Sequence, residues 1–256
     1  MINIPPLFSI IIATYNSGVT LERCIKSIVE QTNTDYEIIV IDGKSTDDTI
    51  DIVKNFSSYP IKWISEKDDG IYDAWNKGVR LAIGRWIIFI GSDDYFLEDA
   101  LAQYKQFTES SHGSNFDFIS SKMELISQDG VIIKRIGLPW SWRKCRLQNV
   151  IAHPGSLHNR SLFDKFGLFD TRYRICGDYE FLLRPGENMK VGFLDKITVR
   201  MSQGGISFNA KKLFKEHYLV AISTGKLNKW IARFFYVWQM LKHYIKASIR
   251  VFKIDI

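Results

Sequence analysis

Cysteine is scarce in this chain of 256 residues: Cys24, Cys145 and Cys176 lie far apart with no CxxC spacing. That count speaks against a disulfide framework and a thiolate zinc site, and it favours a reducing compartment. Long apolar runs are missing too, since no window reaches the roughly 18 uninterrupted apolar residues of a membrane span. The opening MINIPPLFSIII has neither a basic n-region nor a small-residue cleavage site, so no signal peptide is expected and the cytoplasm is the expected compartment. GxGxxG and Walker motifs are absent, which leaves dinucleotide and P-loop readings without their fingerprints. No internal repeat or low-complexity segment occurs.

What remains has ordinary globular composition, 46% hydrophobic and 24% charged, enough for one large domain with a sizeable core. The net charge of +6 is unevenly placed. From residue 211 onward ten Lys/Arg stand against Glu216 and Asp255, so the tail carries +8 and everything before it −2. The basic character belongs to the C-terminus.

Along the chain, FSIIIATYN (8–16) reads as an Ile-rich strand that ends in a polar turn. VTLERCIKSIVEQT (19–32) spaces Leu21, Cys24, Ile25 and Ile28 as an amphipathic helix does. YEIIVIDGKSTDDT (36–49) gives a second strand whose loop residues Ser45 and Thr46 suit a helix cap before DTIDIVKNF. IKWISEKDDG, IYDAWNKGVRLAIG and RWIIFIGSDD continue as strand, helix and strand. This β-α-β-α-β-α-β order, with strands apolar on both faces, predicts a doubly wound, mostly parallel sheet with helices on both faces. Ligands of such sheets bind at the carboxyl ends of the strands, where strand order reverses. Three of the four strand ends deliver acids: Asp42, then Asp68 and Asp69, then Asp93 and Asp94. Carboxylates at a strand end call for a cationic partner.

Beyond residue 97 the pattern is less regular. FDFISSKMELISQDGVIIKRIG reads as a strand pair turning at Gln128-Asp129-Gly130. LPWSWRKCRLQNVIAHPGSLHNR, aromatic and basic without periodicity, suits a binding surface better than a core. Residues 161–184 should hold a short helix, a turn, and a helix beginning near Asp178.

Five segments in fixed order, SIIIATYN, VIDGKSTDDT, SEKDDGIYDAWNKG, IFIGSDD and CGDYEFLLR, together resemble bacterial family-2 inverting glycosyltransferases of the GT-A fold. The subgroup it looks like acts in O-antigen or capsule assembly. The resemblance covers residues 8 to 207, and five ordered motifs are specific where one would not be. It implies a UDP-sugar donor and a divalent cation, Mn2+ or Mg2+, which bridges the donor's phosphates and neutralises the leaving diphosphate. By the same resemblance Asp94 ligates that metal, while Asp93 meets the ribose or supports the metal. Ala13 and Tyr15 line the uracil pocket, with Tyr15 stacking on the base, and Asp42 accepts a hydrogen bond from it. Asp68 and Asp69 reach sugar hydroxyls or ribose, and Lys77 the phosphates. Asp178 sits at the position of the catalytic base. His153 approaches the acceptor or diphosphate, Arg184 contacts the diphosphate or braces the base, and Gly204 and Gly205 of MSQGGISFN form a phosphate nest.

Plainer uses exist for each residue. Asp42 suits an Asx-turn, Asp178 a helix cap, Lys77 a surface ion pair, His153 a structural histidine and the glycines a simple turn. The chain departs from the family twice: Trp75 stands where Met is frequent, and Gly177 where an acid often precedes the base.

In the tail, Trp230, Phe234, Val237, Trp238, Leu241, Tyr244, Ile245, Ile249 and Phe252 fall on one helical arc, with Lys229, Lys242, Lys246, Arg250 and Lys253 mostly opposite. Such a helix suits an anionic membrane interface through 229–253. A dimer seam is its other use, and no nucleic-acid module accompanies the charge. The expected organisation is a catalytic domain over 1–210, divided into a donor-binding half (1–96) and an acceptor half (97–210), followed by an amphipathic helical tail over 211–256. The expected activity is hexosyl transfer to a lipid-diphosphate-linked sugar by an enzyme peripheral on the inner membrane. A nucleotidyltransferase is one rival, lacking phosphate-clamping Lys/Arg in ATYNSG; a non-catalytic membrane-peripheral scaffold is the other.

Overall fold

The computed structural model describes residues 4–110, 115–204 and 209–252, with side chains as far as Ile245. In chain order the first half comprises β1 (Phe8–Thr14), α1 (Leu21–Val29), β2 (Tyr36–Asp42), α2 (Thr49–Asn55), β3 (Ile61–Ser65), α3 (Ile71–Leu81) and β4 (Trp86–Gly91). The second half comprises β5 (Tyr95–Phe96), α4 (Ala100–Glu109), β6 (Phe118–Ile126), β7 (Ile132–Ile136), α5 (Trp142–Cys145), β8 (Ala152–Asn159), α6 (Ser161–Phe166), α7 (Gly177–Leu183) and β9 (Val191–Ser202). Two helices, α8 (Ala210–Ser223) and α9 (Lys229–Phe252), close the chain.

The strands form one sheet in the order β3-β2-β1-β4-β8-β6-β9-β5, with β7 paired to β6. Pairing is parallel from β3 to β4, as the alternating pattern predicts. From β4 onward the sheet is mixed: β8 runs antiparallel to both β4 and β6, while β6 and β9 are parallel. The chain winds outward from β1 to β3 and then returns to place β4 on the other side of β1, so strand order reverses between β1 and β4. Register aligns the carboxyl ends there, with Ala13 opposite Gly91, Thr14 opposite Asp42, and Asp42 opposite Ser65. This edge is the crevice in which sheets of this kind take ligands.

Side chains alternate across the sheet with period two. Ile10, Ile12, Trp86 and Ile88 pack on one side with Leu21, Ile25 and Ile28 of α1 and Leu101 and Tyr104 of α4. Ile11, Ile39, Ile87 and Phe89 pack on the other with Trp75 and Val79 of α3 and Phe181 and Leu182 of α7. Gly78 lets α3 lie this close, since a Cβ there would stand 2.5 Å from Ile11 Cγ2.

The expected binding surface within 138–160 is instead, in its second part, the central strand β8. His153, Ser156 and His158 break its apolar pattern, yet all three are buried. Ser156 donates to Ala152 O at 2.6 Å, and His158 Nδ1 lies 3.3 Å from Ile87 O. Burial drives the His158 imidazole well below its usual pKa, so it sits in the core as a neutral ring. Polar residues buried inside a sheet carry no hydrophobic signature in the sequence.

The tail divides in two. Val220 of α8 belongs to the core and Glu216 is buried, whereas α9 exposes Trp230, Phe234, Val237, Trp238, Leu241, Tyr244 and Ile245. Among the described residues no helix is long and apolar enough to cross a membrane.

Candidate active site

The cavity at the switch point has a volume of about 260 Å³, and Trp75, Asp93, Asp94, His153, Arg174 and Asp178 are among its lining residues. Asp93 and Asp94 arrive from the turn after β4, closed by Asp94 N donating to Gly91 O at 3.1 Å. Asp94 is 5% exposed, and its Oδ1 accepts from Ser202 N, at the end of β9, at 3.0 Å. Arg23 of α1 lies over the Tyr95 ring, 4.5 Å from its centroid, and donates to Asp93 O at 2.8 Å and Ser202 Oγ at 3.3 Å. That guanidinium thus ties α1, the acidic turn and β9 together through main chain and hydroxyl, leaving both carboxylates free of ion pairs among the described residues.

Burial raises the pKa of Asp93, and burial together with the charge of Asp93 raises Asp94 well above the ordinary carboxylate range. Two adjacent carboxylates, Asp94 buried and Asp93 partly so, with pKa values raised by desolvation, fit a hard divalent cation, which takes oxygen ligands and keeps waters and substrate oxygens for its other positions. Among the described residues no third His, Cys, Asp or Glu joins them. The described residues therefore offer at most this pair.

Asp178 enters from the first turn of α7. Burial lifts its pKa, opposed first by the Tyr72 hydroxyl. That hydroxyl lies 2.7 Å from Ile175 O and 2.9 Å from Asp178 Oδ1, so its single proton is shared between them. A Cβ at Gly177 would stand 2.8 Å from Tyr72 Cδ2; the residue before Asp178 is glycine because Tyr72 occupies the space. His153 Nδ1 is 3.7 Å from Asp178 Oδ2. Its ring packs against Trp75 and Phe89, with centroids 5.3 and 5.9 Å away, and burial lowers its pKa to about 3. It is therefore a neutral imidazole, and its Nε2 has no hydrogen-bond partner among the described residues. Asn76 of α3 exchanges two hydrogen bonds with the Phe169 main chain, both 2.9 Å, and so fixes the loop that leads to α7.

Beside the cavity a second group of sequence-expected residues meets. Asp42 is fully buried and accepts from Ser45 N at 3.0 Å, Ser65 Oγ at 2.5 Å and the Ser45 hydroxyl. The Asx-turn is thus real, and it shapes the loop that begins at Gly43. A Cβ at Gly43 would stand 2.7 Å from Asp68 Oδ2 and 3.3 Å from Tyr15 Cδ2, so these residues surround one small space. Tyr15 is 63% exposed beside it. Asp68 also accepts from Gly70 N at 2.9 Å, and a Cβ on Gly70 would meet Arg174 Nη1 at 2.8 Å. Arg174 therefore links this loop group to the cavity.

Other expected residues lie elsewhere. Lys77 pairs with Glu66 at 2.9 Å and Asp73 at 3.5 Å. Asp69 is exposed, with its amide donating to Asp73 Oδ2 at 3.1 Å. Arg184 holds Glu180 at 2.6 Å and donates to Phe166 O and Leu168 O at 2.8 and 2.7 Å, bracing α7 from behind. Ala13 lies in β1 opposite Gly91. Gly204, at φ +135°, lines a groove with Arg23, Asp93 and Ser202, and Gly205 lies outside the described residues. Arg23, Tyr72, Arg174 and Ser202 were not expected at all. Each acts across more than 60 residues of sequence, and no local pattern announces such contacts.

The model for the family "Glycosyl transferase family 2" matches residues 9–119. A "PGL/p-HBAD biosynthesis glycosyltransferase" of Mycobacterium tuberculosis is 34% identical over 191 residues, covering 72% of this chain and 71% of the relative. S. aureus TarS superposes with a TM-score of 0.67 at 19% identity, over 93% of this chain and 43% of TarS, so this chain spans less than half of that protein. TarS 1–349 in complex with UDP-GlcNAc superposes at 0.66 and 21% identity, over 93% and 72%. The mannosyltransferase PcManGT from Pyrobaculum calidifontis, in complex with GDP-Man and Mn2+, gives 0.61 at 15% identity, over 99% and 81%. The mixed α/β fold with its curled sheet is thus that of GT-A glycosyltransferases, and the chain belongs to glycosyl transferase family 2.

Proposed function

We propose that this glycosyltransferase moves a hexosyl group (glucose, galactose or an N-acetylhexosamine) from a UDP-sugar to a lipid-diphosphate-linked sugar, with inversion, during surface polysaccharide assembly of the O-antigen or capsule type. The observation that carries the reading is the convergence of Asp93, Asp94 and Asp178 on one cavity at the switch point, Asp94 buried, the other two partly buried, and each with a pKa raised by desolvation. Support for the donor class comes from TarS, solved with UDP-GlcNAc. Support for a divalent cation comes from the carboxylate pair and from the mannosyltransferase solved with Mn2+.

In this reading Asp94, supported by Asp93, holds Mn2+ or Mg2+, which supplies charge neutralisation for the departing diphosphate. Tyr15, Asp42 and Asp68 surround the nucleoside, with Ala13 at the floor of the cleft. Arg174, at the junction of the loop group and the cavity, meets the diphosphate. Asp178 takes the proton of the acceptor hydroxyl as its oxygen bonds to the anomeric carbon, and the pair of the breaking C–O bond leaves on UDP. Tyr72 holds the base in orientation, and neutral His153 lends the acceptor side a hydrogen bond without a competing charge. The enzyme works on the cytoplasmic face of the membrane, held by the exposed aromatic face of α9 and its basic flank.

The test is a panel of UDP-sugars with metal, with and without a lipid-diphosphate sugar, followed by UDP release. The expected result is metal-dependent release that requires the acceptor and disappears in Asp178→Asn. Release from no donor by a protein that binds UDP would overturn the acceptor, and failure to bind UDP would overturn the donor site.

A further inference from the structure

Glu216 lies on α8, in the segment that the sequence assigns to the tail. It is only 7% exposed, and three consecutive amides donate to it: Arg174 N at 3.0 and 3.1 Å to its two oxygens, and Ile175 N at 2.8 Å and Cys176 N at 3.0 Å, both to Oε2. Successive amides converging on one anion fix the backbone of their segment, and hydrogen bonds to a charged acceptor are the stronger kind. The segment so fixed is the approach to the active site. It carries Arg174 into the cavity, presents Ile175 O to the Tyr72 hydroxyl, and begins α7 with Asp178 two residues after Cys176. The α8 helix grips α7 at other points as well: the His217 ring stacks on Tyr179 at 4.7 Å and 2°, and Thr224 Oγ1 donates to Glu180 Oε1 at 2.7 Å.

We infer that Glu216 is a positioning residue for Asp178, acting through the Arg174–Cys176 main chain and the Tyr72 hydroxyl, so that one side chain of α8, rather than the helix as a whole, serves the active site. The inference rests on Asp178 being the base. The Ile175 N–H held by Glu216 and the Ile175 carbonyl held by Tyr72 belong to one residue. If the amides lose their acceptor, the carbonyl moves, Tyr72 loses its shared contact, and the carboxylate that must meet the acceptor hydroxyl loses its orienting donor. Filling the same space with an apolar side chain would keep packing but not this register.

The experiment uses the full chain and its Glu216→Ala, Glu216→Gln and Val220→Ala variants. Val220→Ala hollows the core contact of the same helix without touching the amides, and so controls for lost stability. UDP release from the donor found by the panel gives kcat and KM, and calorimetry gives UDP affinity. The expected result for Glu216→Ala is a kcat reduced roughly 10- to 100-fold, the cost of misplacing a reacting group, with a smaller loss of roughly two- to fivefold in donor KM and UDP affinity, because the Arg174 main chain is released as well. Glu216→Gln, which keeps a neutral oxygen as acceptor, should lose roughly three- to tenfold, and Val220→Ala should retain wild-type kcat despite a lower Tm. Wild-type kcat in Glu216→Ala, or an equal loss in Val220→Ala, overturns the inference. Should Glu216→Ala not fold, the same comparison is decided by Glu216→Gln. If the wild type turns over no donor, the proposed function fails first. Carbon-13 titration of Asp178 then decides: an upward shift in Glu216→Gln supports positioning, and coincident curves overturn it.

Discussion

Asp93, Asp94 and Asp178 are all raised by burial, but their neighbours differ, and the difference gives each a separate experimental signature. Among the described residues Asp178 has a hydroxyl donor and a neutral imidazole beside it and no cation paired with it. The acid limb of kcat should therefore lie above the ordinary Asp range. Since the Tyr72 hydrogen bond lowers the Asp178 pKa, Tyr72→Phe should move that limb to higher pH and reduce kcat several-fold, as a pH–rate profile will show. Asp178→Asn should reduce turnover roughly 10²- to 10⁴-fold, the ordinary contribution of a general base, while UDP binding persists. For Asp94 the linkage runs through stability. A carboxyl whose folded pKa exceeds its unfolded value is better tolerated protonated, so stability falls as pH rises from the unfolded pKa through the folded one and stays low above it. Asp94→Asn removes that penalty and should raise the metal-free Tm at pH 7, by roughly 2–4 °C per kcal/mol relieved, while abolishing metal-dependent transfer. These acids were legible in the sequence because carboxylates directly after an apolar strand contradict burial unless a ligand answers them. Tyr72 was not legible, since an aromatic in the first turn of an amphipathic helix reads as core and only the fold brings Asp178 to its hydroxyl.

Among the elements, legibility follows periodicity. Strands β1, β2 and β4 are largely apolar along their length and helices α1 and α3 keep one apolar face, so pattern and burial agree there. The edge strand β3, expected to be apolar on both faces, instead buries none of its residues and leaves Trp63 exposed. Strand β8 departs further: two histidines, a serine and a proline interrupt it, and the main-chain oxygens that meet Ser156 Oγ and His158 Nδ1 are supplied only by the folded sheet. The start of α7 shows the same dependence on distant parts. Gly177 looks like a loss of charge next to the base, whereas the structure makes it a demand for space by the Tyr72 ring. Gly177→Ala should therefore separate α7 from α3, lowering stability by about 1–3 kcal/mol as overpacking does. It should also reduce kcat more than donor KM, because the displaced element carries Asp178. Paired denaturation and steady-state measurements would check both; a change in stability alone would mean that α7 returns to register around the added methyl.

At the scale of the whole molecule the tail is two devices on one stalk. Its first helix is locked to α7, the helix that carries Asp178, while its second turns an unbroken aromatic and aliphatic face outward, from Trp230 at 66% exposure to Ile245 at 57%. A charge count cannot divide the two, because the basic residues run through both helices and the decisive buried acid, Glu216, is a single letter in that count. The exposed face with Lys229, Arg233 and Lys242 near it predicts binding to anionic vesicles. Each basic side chain near such a surface adds about 1 kcal/mol, and binding should weaken with salt accordingly. Replacing Phe234 and Trp238 together by Ser removes apolar area worth about 3 kcal/mol, roughly a hundredfold in partitioning. Vesicle co-sedimentation should show that loss with Tm and UDP affinity unchanged, because neither side chain is buried in the body. A dimer seam would behave differently: the same double variant would shift sedimentation from dimer to monomer, and the parent protein would ignore vesicle charge. If the membrane reading holds, the double variant should still release UDP with a short-chain, water-soluble acceptor and fail with the same acceptor embedded in vesicles. That contrast separates delivery of the substrate from the chemistry performed on it.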